Sequence, residues 1–294
     1  MGQNRTEVSR SNSRQERSRD EFLELGLAPT CNKRLATDGV ARHGQRMSDQ
    51  NTQRLDQLLV SLGLFASRSR ARDAVQRGTV KVGGKVVAKA GALFGEDAAI
   101  EIDDPAQEYV SRAALKLAVA LDHFKLDPSG HRCLDVGAST GGFTEVLLAR
   151  GAAQVTAIDV GHGQMHPRIS NDPRVTNIEG LNARNLTAED IGHPITFIVS
   201  DVSFISLKLA LAPALDLAEA GAVAALLVKP QFEAGRDAIG KGGLLKDPSS
   251  APDVAAELEH WFVEDMGWES LGLIPSPIAG GDGNQEFLLA GTKP

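Results

Sequence analysis

The stretch Leu134-Asp135-Val136-Gly137-Ala138-Ser139-Thr140-Gly141-Gly142-Phe143 limits the fold more than any other part of this chain. The apolar run Cys133 to Val136 has the length and character of a buried strand. Three glycines then turn the chain, and the pattern from Phe143 to Arg150 is helical. Glycine suits such a turn because it tolerates positive φ and lets backbone approach a ligand closely. Strand, glycine turn and helix N-terminus together make the nucleotide corner of a doubly wound α/β sheet. A second apolar strand, Gln154 to Ile158, runs into Asp159, 22 residues beyond Gly137. A carboxylate at that distance is placed to hold a ribose.

Further strands are expected at Arg174–Ile178, Ile195–Ser200 and Val223–Val228, with a helix over Ile205–Ala220. The continuous apolar run of Ile195–Ser200 suits a parallel strand covered on both faces. Gly137, Asp159, Asp201 and Lys229 all follow strand carboxyl ends, where open parallel sheets bind ligands. Ahead of the first strand, Tyr109–His123 reads as a helix buried through Val110, Ala114, Leu117 and Leu121. Lys116 lies at the rim of that stripe. Ala234–Asp247, rich in glycine and charge, reads as a mobile loop over the site. Pro252–Met266 is a helix, and Trp268–Ile274 with Gln285–Leu289 form a closing strand pair. Glu286 is expected inside the last strand, where a buried carboxylate needs a partner.

The chain has 294 residues, which suggests two domains. Its net charge of −7 is unevenly spread. Residues 50–90 carry eight Lys/Arg against two Asp, and residues 91–294 carry 14 basic against 29 acidic side chains. The small basic part is therefore the one expected to meet a polyanion. Residues 1–50, rich in Arg, Ser and Asn, read as a disordered extension, with Met47 an alternative start. Within 53–90, Leu55, Leu58, Leu59 and Leu62 have helical spacing, and Ser67 caps a second helix, Arg68–Arg77. Thr79–Val82, Gly83-Gly84 and Lys85–Ala88 read as a hairpin. Asp103-Asp104-Pro105 marks the boundary, giving domains of 53–105 and 109–294. Two cysteines, Cys31 and Cys133, suit a reducing, cytoplasmic setting and offer no metal site. The longest apolar run, Ala222–Val228, is too short to span a bilayer.

The unit from Arg54-Leu55-Asp56 to Val82-Gly83-Gly84-Lys85 resembles the S4 RNA-binding domain. On that resemblance Arg54, Arg68, Arg70, Arg72, Arg77 and Lys81 are the expected RNA contacts, tracking a phosphate backbone. Val110 to Leu117, Asp135 to Phe143, Asp201 to Leu207, Lys229 to Arg236 and Gly283 to Phe287 resemble the TlyA (hemolysin A) family. That family joins an S4 domain to a Rossmann-like, FtsJ-like methyltransferase. At Ala113-Ala114 this chain departs from the glycine pair usual in the family, and at Leu181 from its threonine.

The resemblance implies S-adenosylmethionine as cofactor and a cytidine ribose 2′-hydroxyl of ribosomal RNA as acceptor, in the large subunit and sometimes the small. It implies a tetrad of Lys116, Asp201, Lys229 and Glu286. A 2′-hydroxyl is a poor nucleophile that must lose its proton as it attacks, and Lys229 is placed to assist that loss. Asp201 and Glu286 would orient the two lysines. Asp135, Gly137, Ala138, Ser139, Gly141, Asp159 and Asn182 would line the cofactor. Ribosomal RNA or ribosomal subunits are the expected partner of a monomer or weak dimer, without metal or membrane. The glycine corner by itself leaves a dinucleotide-dependent dehydrogenase open. Rival activities lose support for separate reasons. No proline-rich acceptor loop for amino methylation follows Asp201, and Cys133 precedes the glycine turn and reads as a buried structural thiol. The alternative of a membrane-lytic protein would need a spanning segment, or a strongly amphipathic cationic helix outside the S4-like part, and the sequence offers neither.

Overall fold

The protein is described by a computed structural model that covers residues 52–294. The expected extension over 1–50, Met47 and Cys31 lie outside the described residues. The chain forms two compact units that divide between Pro105 and Ala106.

The first unit contains helices α1 (Leu55–Ser61) and α2 (Arg68–Gln76). Ser67 Oγ accepts the Arg70 N–H at 3.3 Å and so caps α2. Strand β1 (Gln53–Arg54) pairs with β4 (Leu93–Phe94). A three-stranded sheet sets β2 (Val80–Val82) between β3 (Lys85–Val86) and β5 (Ile100–Ile102). The hairpin register pairs Val82 with Lys85, so Gly83-Gly84 form the turn, both at positive φ. Leu55, Leu59, Ala71, Ala74, Val75 and Val80 make the core of this unit.

The second unit is built on a seven-stranded sheet in the order β11-β12-β10-β9-β6-β7-β8. The strands are β6 (Arg132–Val136), β7 (Gln154–Asp159), β8 (Val175–Glu179), β9 (Ile195–Ser200), β10 (Ala218–Val228), β11 (Glu269–Pro275) and β12 (Phe287–Thr292). Strands β6 to β10 are parallel, whereas β12 runs antiparallel to β10 and to β11. Successive side chains alternate between two cores, one on each face. Leu134, Ile198 and Leu226 join one core, and Cys133, Phe197 and Leu227 join the other. Helices α3 (Ala114–Phe124), α4 (Gly142–Ala149), α7 (Leu207–Leu217) and α9 (Ala251–Glu264) cover these faces. Shorter helices are α5 (Pro167–Ser170), α6 (Ala188–Ile191) and α8 (Pro230–Glu233).

Three elements differ from the sequence reading. Helix α3 starts five residues later than the expected Tyr109, because side chains take the backbone donors just before it. Glu145 accepts the Val110 N–H at 2.6 Å, and Ser111 Oγ accepts that of Ala113 at 3.2 Å. Helix α7 ends at Leu217 and the chain at once becomes β10, whose register shifts between Ala218 and Val223. Lys293 Nζ donates to the carbonyls of Leu215, Asp216 and Ala218 at 2.8–2.9 Å and so stops the helix. The last strand begins at Phe287, so Glu286 stands just before it rather than inside it.

Candidate active site

The parallel strands bring Gly137, Asp159, Asp201 and Lys229 to one edge of the sheet, each just at or after a strand carboxyl end. Strand order reverses across β6, and in open parallel sheets such a switch point beside the glycine corner is where ligands bind. The fourth polar group arrives by a different route. Because β12 is antiparallel, its first residue, Phe287, pairs with the last residue of β10, Val228. Glu286 is thereby set beside Lys229. Lys116 reaches the same edge from α3, whose Leu117 and Leu121 pack with Leu227 and Leu288.

Two ion pairs result. Lys116 Nζ lies 2.5 Å from Glu286 Oε2, and both side chains are buried. Lys229 Nζ lies 2.5 Å from Asp201 Oδ1 and donates to Ser203 Oγ at 2.7 Å. Burial pushes the Glu286 carboxyl above its usual range, against the pull of Lys116 and Lys229. Asp201 raises it further, so all four groups act within one local field. Lys116 is more enclosed than its expected place at the rim of the helix stripe.

The glycine corner has a polar floor. Asp135 is fully buried, and its Oδ2 accepts the Thr144 hydroxyl at 2.6 Å. Its Oδ1 has no hydrogen-bond partner. Burial raises this carboxyl to about 7 despite the Thr144 hydrogen bond, and the charges of Asp201 and Asp159 add to the rise. Asp159 receives the Ser139 N–H at 2.8 Å and the Gly161 N–H at 2.7 Å. Ser139 itself is held at φ 46° and donates its hydroxyl to Gln164 Oε1 at 3.0 Å. Ala138 is buried in the turn. Asn182 is exposed, and its Oδ1 caps the turn Ala183–Asn185 by accepting the Arg184 N–H at 3.1 Å.

The glycines have an internal reason as well as room for a ligand. A Cβ on Gly137, at φ +83°, would meet Val202 Cγ1 at 2.9 Å and the Asp201 carbonyl at 3.1 Å. One on Gly141, at φ +90°, would lie 3.1 Å from Ile169. The first of these glycines therefore lets the turn pack directly against the segment that carries Asp201.

The segment from Ala234 to Asp247 is tied down. It folds through short turns and a bridge between Ile239 and Leu245. Asn284 accepts the Leu245 N–H at 3.1 Å and donates to the Gly243 carbonyl at 2.9 Å. The same side chain donates to Asp282 at 2.7 Å, joining this loop to the turn that precedes Glu286. Ser203, Thr144, Gln164 and Asn284 were not among the expected site residues. Ser203 and Asn284 lie inside stretches that carry the family resemblance, and Thr144 is a hydroxyl among the apolar positions of α4, whereas Gln164 left no such signal. Cys133 is buried in β6 and its thiol is pushed up to about 12 by burial, in keeping with a structural role.

In the first unit, Arg54, Arg68 and Arg72 converge on Asp56, and Lys81 is exposed on β2. Arg70 is half-buried. Arg77 departs from the expected exposed basic face. It binds Asp73 at 2.8 Å and Asp104 at 2.7 and 2.9 Å, with only 15% of its side chain exposed.

A seven-stranded sheet with a terminal antiparallel strand, carrying a glycine corner and an acid after its neighbouring strand, defines an α/β methyltransferase. Residues 109–293 match the FtsJ-like methyltransferase family and residues 53–99 match the S4 domain. The chain is 43% identical to the 16S/23S rRNA (cytidine-2'-O)-methyltransferase TlyA of Mycobacterium tuberculosis, over 80% of this chain and 88% of that one. It is 40% identical to hemolysin A of Brachyspira hyodysenteriae, over 80% of this chain and 98% of that one. A solved structure from Streptococcus thermophilus matches with a TM-score of 0.64 at 38% identity, covering 83% of this chain and 89% of that one. The chain belongs to the TlyA (hemolysin A) family, in which an S4 domain precedes an FtsJ-like, S-adenosylmethionine-dependent methyltransferase domain.

Proposed function

We infer that this protein methylates the 2′-hydroxyl of a cytidine ribose in ribosomal RNA. The observation that carries the reading is the meeting of two lysine–carboxylate pairs, Lys116–Glu286 and Lys229–Asp201, at the sheet edge that bears the glycine corner. Such a cluster suits a hydroxyl nucleophile. Lys229, fixed by Asp201 and Ser203, assists loss of the 2′-proton and offsets the charge that develops on the oxygen. Lys116, held by Glu286, adds a second positive charge and fixes the site's geometry.

The residues present fit S-adenosylmethionine. The unpartnered Oδ1 of Asp135, buried under the glycine turn, is an acceptor suited to an ammonium group or its bridging water. A carboxylate has about four acceptor positions, so Asp159 keeps room for ribose hydroxyls after binding two backbone N–H groups. Gly137, Ala138, Ser139 and Gly141 would line the methionine part, and Asn182 the adenine side. The cofactor, when bound, supplies an electrophilic methyl group on a sulfonium.

The S4 unit, with Arg54, Arg68, Arg70, Arg72 and Lys81, is the RNA-holding part, and intact ribosomal subunits or their RNA are the substrate. Mass-spectrometric mapping of methylated ribose in ribosomal RNA, with and without the gene, tests this function. A cytidine methylated only when the gene is present is the expected result. Identical maps would overturn the reading. The hemolysin name of one relative motivates a parallel assay of dye release from liposomes by the pure protein. No helix among the described residues is long and apolar enough to cross a membrane.

A further inference from the structure

Asp56 has no exposed surface, yet it gathers three cations. Arg54 grips it with Nε to Oδ1 at 3.0 Å and NH2 to Oδ2 at 3.1 Å. Arg68 NH2 lies 3.3 Å from Oδ2 and Arg72 NH2 lies 3.9 Å from it. The three arginine side chains nevertheless remain 42%, 52% and 55% exposed. One buried negative charge thus holds together three half-exposed positive ones.

The arrangement is built rather than incidental. Arg68 and Arg72 are four residues apart on α2 and share a face, where like charges repel. The carboxylate beneath them offsets that repulsion. Arg54 is fixed from the other side. The Leu55 and Asp56 N–H groups bond the carbonyls of Ala92 and Ala90 at 2.8 and 3.0 Å, which brings Gly91 against the guanidinium. A Cβ at position 91 would stand 2.8 Å from Arg54 NH1, the far end of a flexible side chain, so a larger residue there would displace the head at little cost. A guanidinium has five N–H donors, and Asp56 takes few of the donors these three arginines carry. The cluster keeps an excess of positive charge and of unengaged donors in the planar geometry that matches phosphate oxygens.

We propose that Arg54, Arg68 and Arg72, positioned by Asp56, form one seat for a single phosphodiester of the RNA backbone. Asp56 is a positioning residue that never touches the RNA. The proposal rests on the reading of this unit as the RNA-holding part, and it replaces a row of independent cations along α2 with one shared site.

The test uses the whole protein, a fluorescently labelled hairpin of ribosomal RNA, and binding followed by anisotropy over a salt series. Arg68→Ala and Arg72→Ala are each expected to weaken binding and to flatten the slope of log K against log salt by about one. The double variant is expected to flatten it by no more than about one, because the two side chains share a phosphate. Asp56→Asn is expected to weaken binding several-fold although it makes the protein more positive. Charge alone predicts the opposite sign. Circular dichroism verifies folding, and should Asp56→Asn fail to fold, the arginine pair decides. Additive slope losses of about two, or a folded Asp56→Asn that binds as tightly as the parent, would overturn the shared seat. Parent protein with no salt-dependent RNA binding would remove the seat and the RNA-holding reading together.

Discussion

Lys116 and Glu286 are separated by 170 positions, yet they meet at 2.5 Å inside the second unit, almost wholly out of solvent. The contact joins the first helix of that unit to the residue before its last strand. Breaking such a pair leaves a lone charge in an apolar setting, and the loss of one partner of a buried pair costs about 3–5 kcal/mol. Lys116→Met should therefore lower stability by that order, whereas Lys116→Met combined with Glu286→Leu should recover much of the loss. Chemical denaturation of the parent, the single variants and the double variant measures the coupling. A double variant no better than Lys116→Met would show that the pair is not the source.

Lys229 is held by Asp201 and Ser203 from two sides. Lys229→Ala should reduce methyl transfer by about 10²–10⁴-fold if its help with the 2′-proton is lost. Cofactor affinity, measured by calorimetry, should change little. Single-turnover kinetics on ribosomal RNA would separate the two effects, and near-parent turnover would remove Lys229 from the chemistry.

Asp135 sets a pH dependence of stability. Its carboxyl is raised to about 7, chiefly by burial, so the folded state holds a proton that the unfolded chain releases earlier. Its contribution is fully present below the ordinary carboxylate range and is lost as pH rises to about 7. Asp135→Asn, which carries no titrating proton, should lack this fall. Thermal melting of parent and variant from about pH 4 to pH 8 tests the sign, and parallel curves would contradict it.

Asn284 ties the loop at Gly243 and Leu245 to the turn before Glu286. Asn284→Ala leaves the Leu245 N–H without its partner, at a cost of about 1–3 kcal/mol. Lys241 and Lys246 are already exposed, and local opening should free the backbone around them, so trypsin should cut there faster than in the parent. Unchanged cleavage would show that the loop is held by other contacts.

Gly137 couples the cofactor corner to Asp201. Gly137→Ala forces a side chain into φ +83° and against the backbone that carries Asp201. A cost of about 1–3 kcal/mol is expected for that backbone conformation, together with weaker cofactor binding. Calorimetry and melting on the same variant test both, and unchanged affinity would confine Gly137 to a packing role.

Local patterns were informative wherever one stretch carried both pattern and meaning. Ile195–Ser200 is continuous apolar chain ending in an acid, and it is a central strand with the same bounds. Ser67 caps α2 and Gly83-Gly84 turn the hairpin, because caps and turns are decided by a few adjacent residues. The parallel strands follow from repeated apolar runs, and their carboxyl ends place Gly137, Asp159, Asp201 and Lys229 on one edge. Residue identity alone said that Glu286 needs a partner. It did not say which.

Partners across the fold were decided by packing. The antiparallel turn of β12 beside β10 puts Glu286 at the same edge as Lys229, and the docking of α3 chooses Lys116 for it. Arg77 shows the limit most plainly. Its spacing placed it with the exposed arginines, but Asp104, 27 residues on, draws its head inward. Spacing along a chain reports which face of one element a residue occupies. Only the close packing of separate elements, which brings desolvated charges within a few ångströms, settles what that face will meet.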